Sequence, residues 1–208
     1  MRNVYKILIS LAILFGCVGY SSQPNINYVG ESRVYIVIGA SNATNYLQEL
    51  PRAFKTEMQN LTGDTIYVLN CAKAKSGLDD WEQGSIYYNN CMNSYNTNYA
   101  NKGVLSGIVF VNGEHEMLYG TEWYNPFVNL VAALRQDLNS PELSIGFLQV
   151  HRNMNGAYVN EVRQQQYDSS MFLGACMINA DDLKLTLDGL HYTKSSLTEI
   201  GKRFVVCY

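Results

Sequence analysis

Five apolar runs alternating with helical patterns predict an α/β protein. The expected form is a three-layer α/β/α sandwich around a flavodoxin-like, five-stranded parallel sheet. Three observations carry this expectation. The runs at 34–38, 65–70, 104–111, 143–150 and 171–178 are apolar and of strand length, and the first is β-branched and aromatic throughout. Helical periodicity separates several of them. The chain has 208 residues, 47% of them hydrophobic, enough for one domain with a substantial core.

In chain order, "VYIVI" at 34–38 reads as the first strand. Residues 43–60 follow as a helix interrupted at Pro51, with Phe54, Met58 and Leu61 on one side. "TIYVLN" at 65–70 is the second strand and "VLSGIVFV" at 104–111 the third. Between them, residues 72–101 form a long excursion rich in Asn and Tyr, of the kind that often builds lids or binding walls. In residues 126–138, Phe127, Leu130, Val131, Leu134 and Leu138 share one helical face, and Pro126 suits a first turn. "LSIGFLQV" at 143–150 is the fourth strand, 157–167 a helix, "MFLGACMI" at 171–178 the fifth strand, and 194–204 a last helix.

Residues 1–20 read as an export signal: Arg2 and Lys6 precede the apolar "ILISLAILFG", which is short for a membrane span. "LFGC" at 14–17 is similar to a lipoprotein box, which would leave a lipid anchor on Cys17. Cleavage near 19–22 is the competing reading. Residues 21–32 read as a polar tether, leaving 33–208 as the folded domain. Formal net charge is −3, or −5 without residues 1–20, and no basic cluster occurs. Phosphate neutralisation needs such a cluster, so nucleic acid is not expected as a partner. Cys71, Cys91, Cys176 and Cys207 permit two disulfides in an exported chain, with three pairings open, and free buried thiols are the alternative reading. No C-x-x-C or H-E-x-x-H pattern argues for a metal, and no cofactor is expected.

Parallel sheets bind ligands beyond the carboxyl ends of their strands. "GASN" at 39–42 follows the first strand, "KSG" at 75–77 the second and "NGE" at 112–114 the third, and "DGLH" at 188–191 lies near the chain end. Together they hold the parts of acyl transfer. A serine hydroxyl needs a base to take its proton, and a histidine held by a carboxylate can take and return it. Ser41, His191 and Asp188 fit these roles. Ser41 also suits a helix cap, and a serine at a strand-to-helix turn can do both. A developing oxyanion needs donors, for which the Ser41 N–H, the Gly77 N–H and the Asn112 amide are candidates. Asn42-Ala43-Thr44 fits the N-glycosylation pattern, and a glycan there would crowd Ser41.

The ordered set resembles the SGNH hydrolases, and more narrowly the sialate O-acetylesterase and acetyl-xylan esterase type. That type carries G-Q-S-N, a Gly-Gly-Ser-like loop before a Trp, Q-G-E and D-G-x-H. Here they read "GASN", "KSGLDDW" at 75–81, "NGE" and "DGLH", spread across residues 34–204, with "VRQQQ" at 162–166 similar to a polar helix motif of the group. The chain departs from the type at Ala40, Ser76 and Asn112. The resemblance implies the SGNH hydrolase fold, Ser41 as nucleophile, His191 as base, Asp188 as its partner, and an oxyanion hole of Ser41, Gly77 and Asn112. Asn42 and Glu114 would support the site, while Trp81, His115 and Trp123 are candidates for substrate contact.

The expectation is thus a secreted, periplasmic or lipid-anchored serine esterase that removes small acyl groups, acetyl foremost, from carbohydrates. A GDSL-type lipase and a non-catalytic glycan-binding protein on the same fold are the alternatives.

Overall fold

The structure, a computed structural model, describes residues 30–208. The expected signal segment, the lipid-anchor site at Cys17 and nearly all of the tether lie outside the described residues. Strand β1 (Ser32–Gly39) starts where the tether was expected to end.

Five strands form one parallel sheet: β1, β2 (Thr65–Asn70), β3 (Val104–Val111), β4 (Ile145–Leu148) and β5 (Cys176–Ile178). Their order is β2-β1-β3-β4-β5, and every pair is parallel. This is the flavodoxin-like order, whose switch point lies between β1 and β3. Buried strands of a parallel sheet need apolar residues on both faces, and β1 obeys from Val34 to Ile38.

Helix α1 (Ser41–Thr62) and α6 (Lys194–Arg203) pack on one face, where Gly201 leaves room for the Leu50 carbonyl. Under α1, Tyr35 meets Phe54 and Tyr208 edge-on, with ring centres 5.0 and 5.1 Å apart. Right-handed crossovers put α2 (Ile86–Asn98), α4 (Tyr124–Asp137) and α5 (Val159–Leu173) over the other face. There Phe127 contacts Phe110, Trp123 and Phe147, with centres 5.1 Å apart in each pair. A short helix, α3 (Glu114–Tyr119), follows β3 directly. Two disulfides close, Cys71–Cys91 and Cys176–Cys207, which selects one of the three pairings.

The structure corrects three element boundaries. The break in α1 falls at Asn45–Gln48, not at Pro51. Asn45 is extended, and Tyr46, Leu47 and Gln48 take φ of 52, 56 and 63°. Pro51 has no N–H for the Leu47 carbonyl and its ring crowds that carbonyl, so the helix fails one turn earlier. Second, "MFLGACMI" is not one strand. Met171–Leu173 finish α5, Gly174 stops it at φ 61°, and only Cys176–Ile178 pair. An apolar run across a helix end, a glycine stop and a strand reads as continuous because the periodicity of each piece is too short to register. Third, the excursion at 72–101 contains α2, whose Asn-rich surface hides its period.

Candidate active site

The site lies beyond the carboxyl ends of β1 and β3, at the switch point. At Gly39 the chain comes so close to β3 that a Cβ would stand 2.0 Å from the Val111 carbonyl oxygen. Its φ of 146° also favours glycine. The Ala40 N–H then donates to the Val111 carbonyl at 2.8 Å, which fixes where Ser41 emerges.

Ser41 is the first residue of α1, and Ala40 holds the cap position without a side-chain bond. The expected capping role is therefore absent. The hydroxyl turns instead to His191, with Oγ 2.8 Å from Nε2. His191 Nδ1 in turn lies 2.6 Å from Asp188 Oδ2. Asp188 is well seated although half exposed. Its Oδ1 accepts from Thr186 Oγ1 at 2.6 Å and from the N–H groups of Leu190 and His191 at 2.8 and 3.0 Å. The His191 N–H, with these other donors, holds its carboxyl well below the usual carboxylate range. Gly189 permits the loop: its φ is 65°, and a Cβ would sit 2.2 Å from Asn155 Nδ2.

Asn42 ties the three segments together. It is fully buried, its Nδ2 donates to Glu114 Oε1 at 2.5 Å, and its Oδ1 accepts from the Tyr192 N–H at 3.0 Å. The amide nitrogen that a glycan would need is thus internal and bonded. Burial pushes the Glu114 carboxyl up, against the Asn42 bond that lowers it. Asn112 Oδ1 accepts from the Gly113 N–H at 2.7 Å, while its Nδ2 is buried without a partner among the described residues.

A cavity of about 560 Å³ opens over Ser41 and His191. Ala40, Ala74, Leu118, Tyr119 and Leu190 give it an apolar lining, with Lys75, Glu114 and His115 as its other charged or titratable walls. His115 therefore lines the same space as Ser41. Its ring lies 4.7 Å from that of Tyr119, and its Nδ1 is 3.7 Å from Glu116 Oε1. Trp81 and Trp123 do not reach the cavity; both are fully buried. Their indole N–H groups donate to Ser76 Oγ at 3.0 Å and Ser169 Oγ at 3.3 Å, so Trp81 braces the loop after β2 and Trp123 ties the start of α4 to α5.

Gly77 also departs from expectation. Its N–H donates to Asp80 Oδ2 at 2.9 Å and it does not line the cavity. Lys75 does. It stands at φ 68°, and its N–H donates to no group among the described residues. The sequence concealed this because a lysine occupies a left-handed position that glycine ordinarily marks. The polar "VRQQQ" is architectural. Gln165 Oε1 accepts from the N–H groups of Trp123 and Tyr124 at the start of α4, and Gln166 Oε1 from that of Val150. His151 is buried near Tyr192, away from the cavity.

Comparison with known proteins follows the same lines. Residues 48–208 match the family model described as carbohydrate esterase, sialic acid-specific acetylesterase. The match includes Asp188 and His191 and begins just after Ser41. A probable carbohydrate esterase of Arabidopsis thaliana is 28% identical over 146 residues, 69% of this chain and 55% of that protein. The chain therefore spans about half the length of this relative. The solved structure of a protein encoded by the same Arabidopsis locus superposes with a TM-score of 0.73 at 19% identity, covering 83% of this chain and 95% of the solved one. A carbohydrate acetylesterase from Sinorhizobium meliloti follows at 0.62 and 12% identity, with 84% and 97% covered. One from Xanthomonas citri gives 0.64 and 12%, with 86% and 55% covered. At such identities these structures speak for the fold.

Proposed function

The chain belongs to the sialic acid-specific acetylesterase family of carbohydrate esterases, and from that premise we propose that it is a serine esterase that removes acetyl groups from carbohydrates. The observation that supports this most is the hydrogen-bonded line from Asp188 through His191 to Ser41, whose Ser41 end opens into the cavity.

In this reading Ser41 Oγ attacks the ester carbonyl carbon while His191 Nε2 takes its proton. The carbonyl oxygen becomes an oxyanion and accepts bonds from the Ser41 N–H, Asn112 Nδ2 and the Lys75 N–H, the last in place of Gly77. His191 returns the proton to the departing sugar oxygen, the C–O bond breaks, and Ser41 carries the acyl group. Water then attacks with His191 as base, acetate leaves and Ser41 regains its proton. Asp188 holds the imidazole tautomer and offsets the imidazolium charge throughout.

Export from the cytoplasm belongs to the same proposal. It is supported by the segment at 1–20 and by the two disulfides, which persist in oxidising compartments. Mass measurement of the mature protein separates a lipidated Cys17 from cleavage near 19–22.

The deciding experiment is turnover of p-nitrophenyl acetate with fluorophosphonate labelling. Labelling at Ser41, with activity lost in Ser41→Ala, is expected. Unchanged turnover in Ser41→Ala would sink the proposal. Glycan binding with neither labelling nor turnover would favour the non-catalytic reading. Faster turnover of long acyl esters than of acetate would favour a lipase.

A further inference from the structure

The loop after β2 borders two cavities. Ala74, Lys75 and Ser76 face Ser41. The residues just before them, through Lys73, form one wall of a second cavity of about 300 Å³. Tyr87, Asn90 and Ser94 of α2 form its other wall. The disulfide Cys71–Cys91 joins the two walls directly, with Cα atoms 5.4 Å apart. The cavity thus keeps its shape and its place beside the loop of the Ser41 cavity before any ligand arrives, which lowers the ordering cost of binding.

The chemistry of α2 points to a ligand class. Its thirteen residues include no Asp, Glu, Lys or Arg, although Asn89, Asn90, Asn93, Asn96 and Asn98 are exposed. A solvent-facing helix surface is ordinarily charged or polar, and Asn is a poor helix former, so helix propensity does not account for a run of amides without one charge on this face. Amides and hydroxyls both donate and accept, which suits a ligand covered in hydroxyls. The side chains of Asn90 and Ser94 bond to no described residue and remain free for such a ligand. Tyr87 is half-buried against Trp81, with ring centres 5.8 Å apart, and Lys73 Nζ lies 6.0 Å from its ring centre. This gives the cavity a fixed apolar plate beside polar groups, the combination that orients small polyhydroxyl ligands.

We propose that this cavity is a second sugar subsite. It seats a neighbouring ring of an acylated oligosaccharide whose ester lies at Ser41, so the preferred substrate is a glycan chain rather than a single sugar. The inference rests on the esterase reading above.

The test compares kcat/KM for acetylated xylotetraose and acetylated xylose, and for an O-acetylated sialic acid tetramer and its monomer. The ratio is read in the series that turns over faster. Wild type is expected to favour the chain by about tenfold or more, the factor given by ~1.4 kcal/mol of added contact. Ser94→Trp, which fills the cavity, and Tyr87→Ala, which strips its plate, should each bring the ratio towards one. Damage to folding acts on both substrates and leaves the ratio in place. A wild-type ratio near one, or a ratio that survives Ser94→Trp, overturns the subsite. Calorimetry on Ser41→Ala with the unacetylated tetramers and monomers repeats the comparison without turnover. Tetramer binding abolished by adding Ser94→Trp, in a protein without esterase activity, would keep the subsite and remove the esterase reading. Turnover with a ratio near one would do the reverse.

Discussion

The two ends of the sheet are finished in opposite ways. In its amino-terminal half, polar groups are paired. The Tyr208 hydroxyl donates to the Ile108 carbonyl at 2.5 Å and accepts from the Gly146 N–H at 3.1 Å, closing the gap where β3 and β4 part. Gly107 and Gly146 make room for its ring, since a Cβ at either would meet it at 2.3 or 2.8 Å. Nearby, Arg33 and the Glu31 N–H both donate to Asp64, and the Arg33 bond leads in holding that carboxyl below its ordinary range. Beyond the carboxyl ends, Asn112 Nδ2, one oxygen each of Glu114 and Glu116, and His115 Nδ1 are buried without partners among the described residues. Buried polar atoms left unpaired cost about 1–3 kcal/mol each. Tyr46, Leu47 and Gln48 add left-handed backbone close to the same place. Stability is gathered at one end and withheld at the other.

The contrast breaks most visibly through His191→Ala. Turnover of p-nitrophenyl acetate should fall by about 10⁴-fold or more, with the melting temperature nearly unchanged, as steady-state kinetics and calorimetry will show. Asn112→Ala should lower kcat by about 10²- to 10³-fold and leave KM near wild type, because in the proposed mechanism its amide acts on charge that develops in the transition state. Tyr208→Phe tests the opposite end. It strands the Gly146 N–H and the Ile108 carbonyl, so urea unfolding should show a loss of about 1–3 kcal/mol while kcat stays unchanged. If Tyr208→Phe slowed catalysis as strongly as Asn112→Ala, the division between the ends would fail.

The smallest effect sharpens the contrast through pH. Burial pushes the Glu116 carboxyl up, against the Leu78 N–H bond that lowers it. A carboxyl raised in the folded state keeps a proton that the unfolded chain releases. Its contribution is complete below about pH 4.3 and is lost as pH rises through the raised folded value. Melting of wild type and Glu116→Gln across that window should diverge in slope by at most ~1.4 kcal/mol per pH unit, one proton's worth. Parallel curves would mean that Glu116 is charged on both sides of unfolding.

The sheet and the residues at its carboxyl rim were legible because both rest on local pattern. Apolar runs mark buried strands wherever they lie, and "GASN", "NGE" and "DGLH" each follow an element whose end the pattern locates. What escaped depends on which partner a group finds in space. The Gly77 N–H looked free in the sequence, but Asp80 three residues later takes it. Trp81 and Trp123 have the composition of sugar platforms, yet each indole is drawn inward by a serine. The left-handed Lys75 carries no glycine to announce it. Helix α2 was hidden because Asn and Tyr on a polar surface give no 3.6-residue apolar period.

Asn42 has a consequence for where this protein can be made. In a cell that modifies Asn-Ala-Thr triplets during secretion, the enzyme that adds the sugar meets the nascent chain before the fold closes. The nitrogen it would modify is the same Nδ2 that later donates to Glu114. Folding and modification would then compete for one atom, and whichever acted first would decide the fate of that molecule. Such a host would secrete two populations, one able to close the core around Asn42 and one barred from it, in a proportion set by timing rather than by equilibrium.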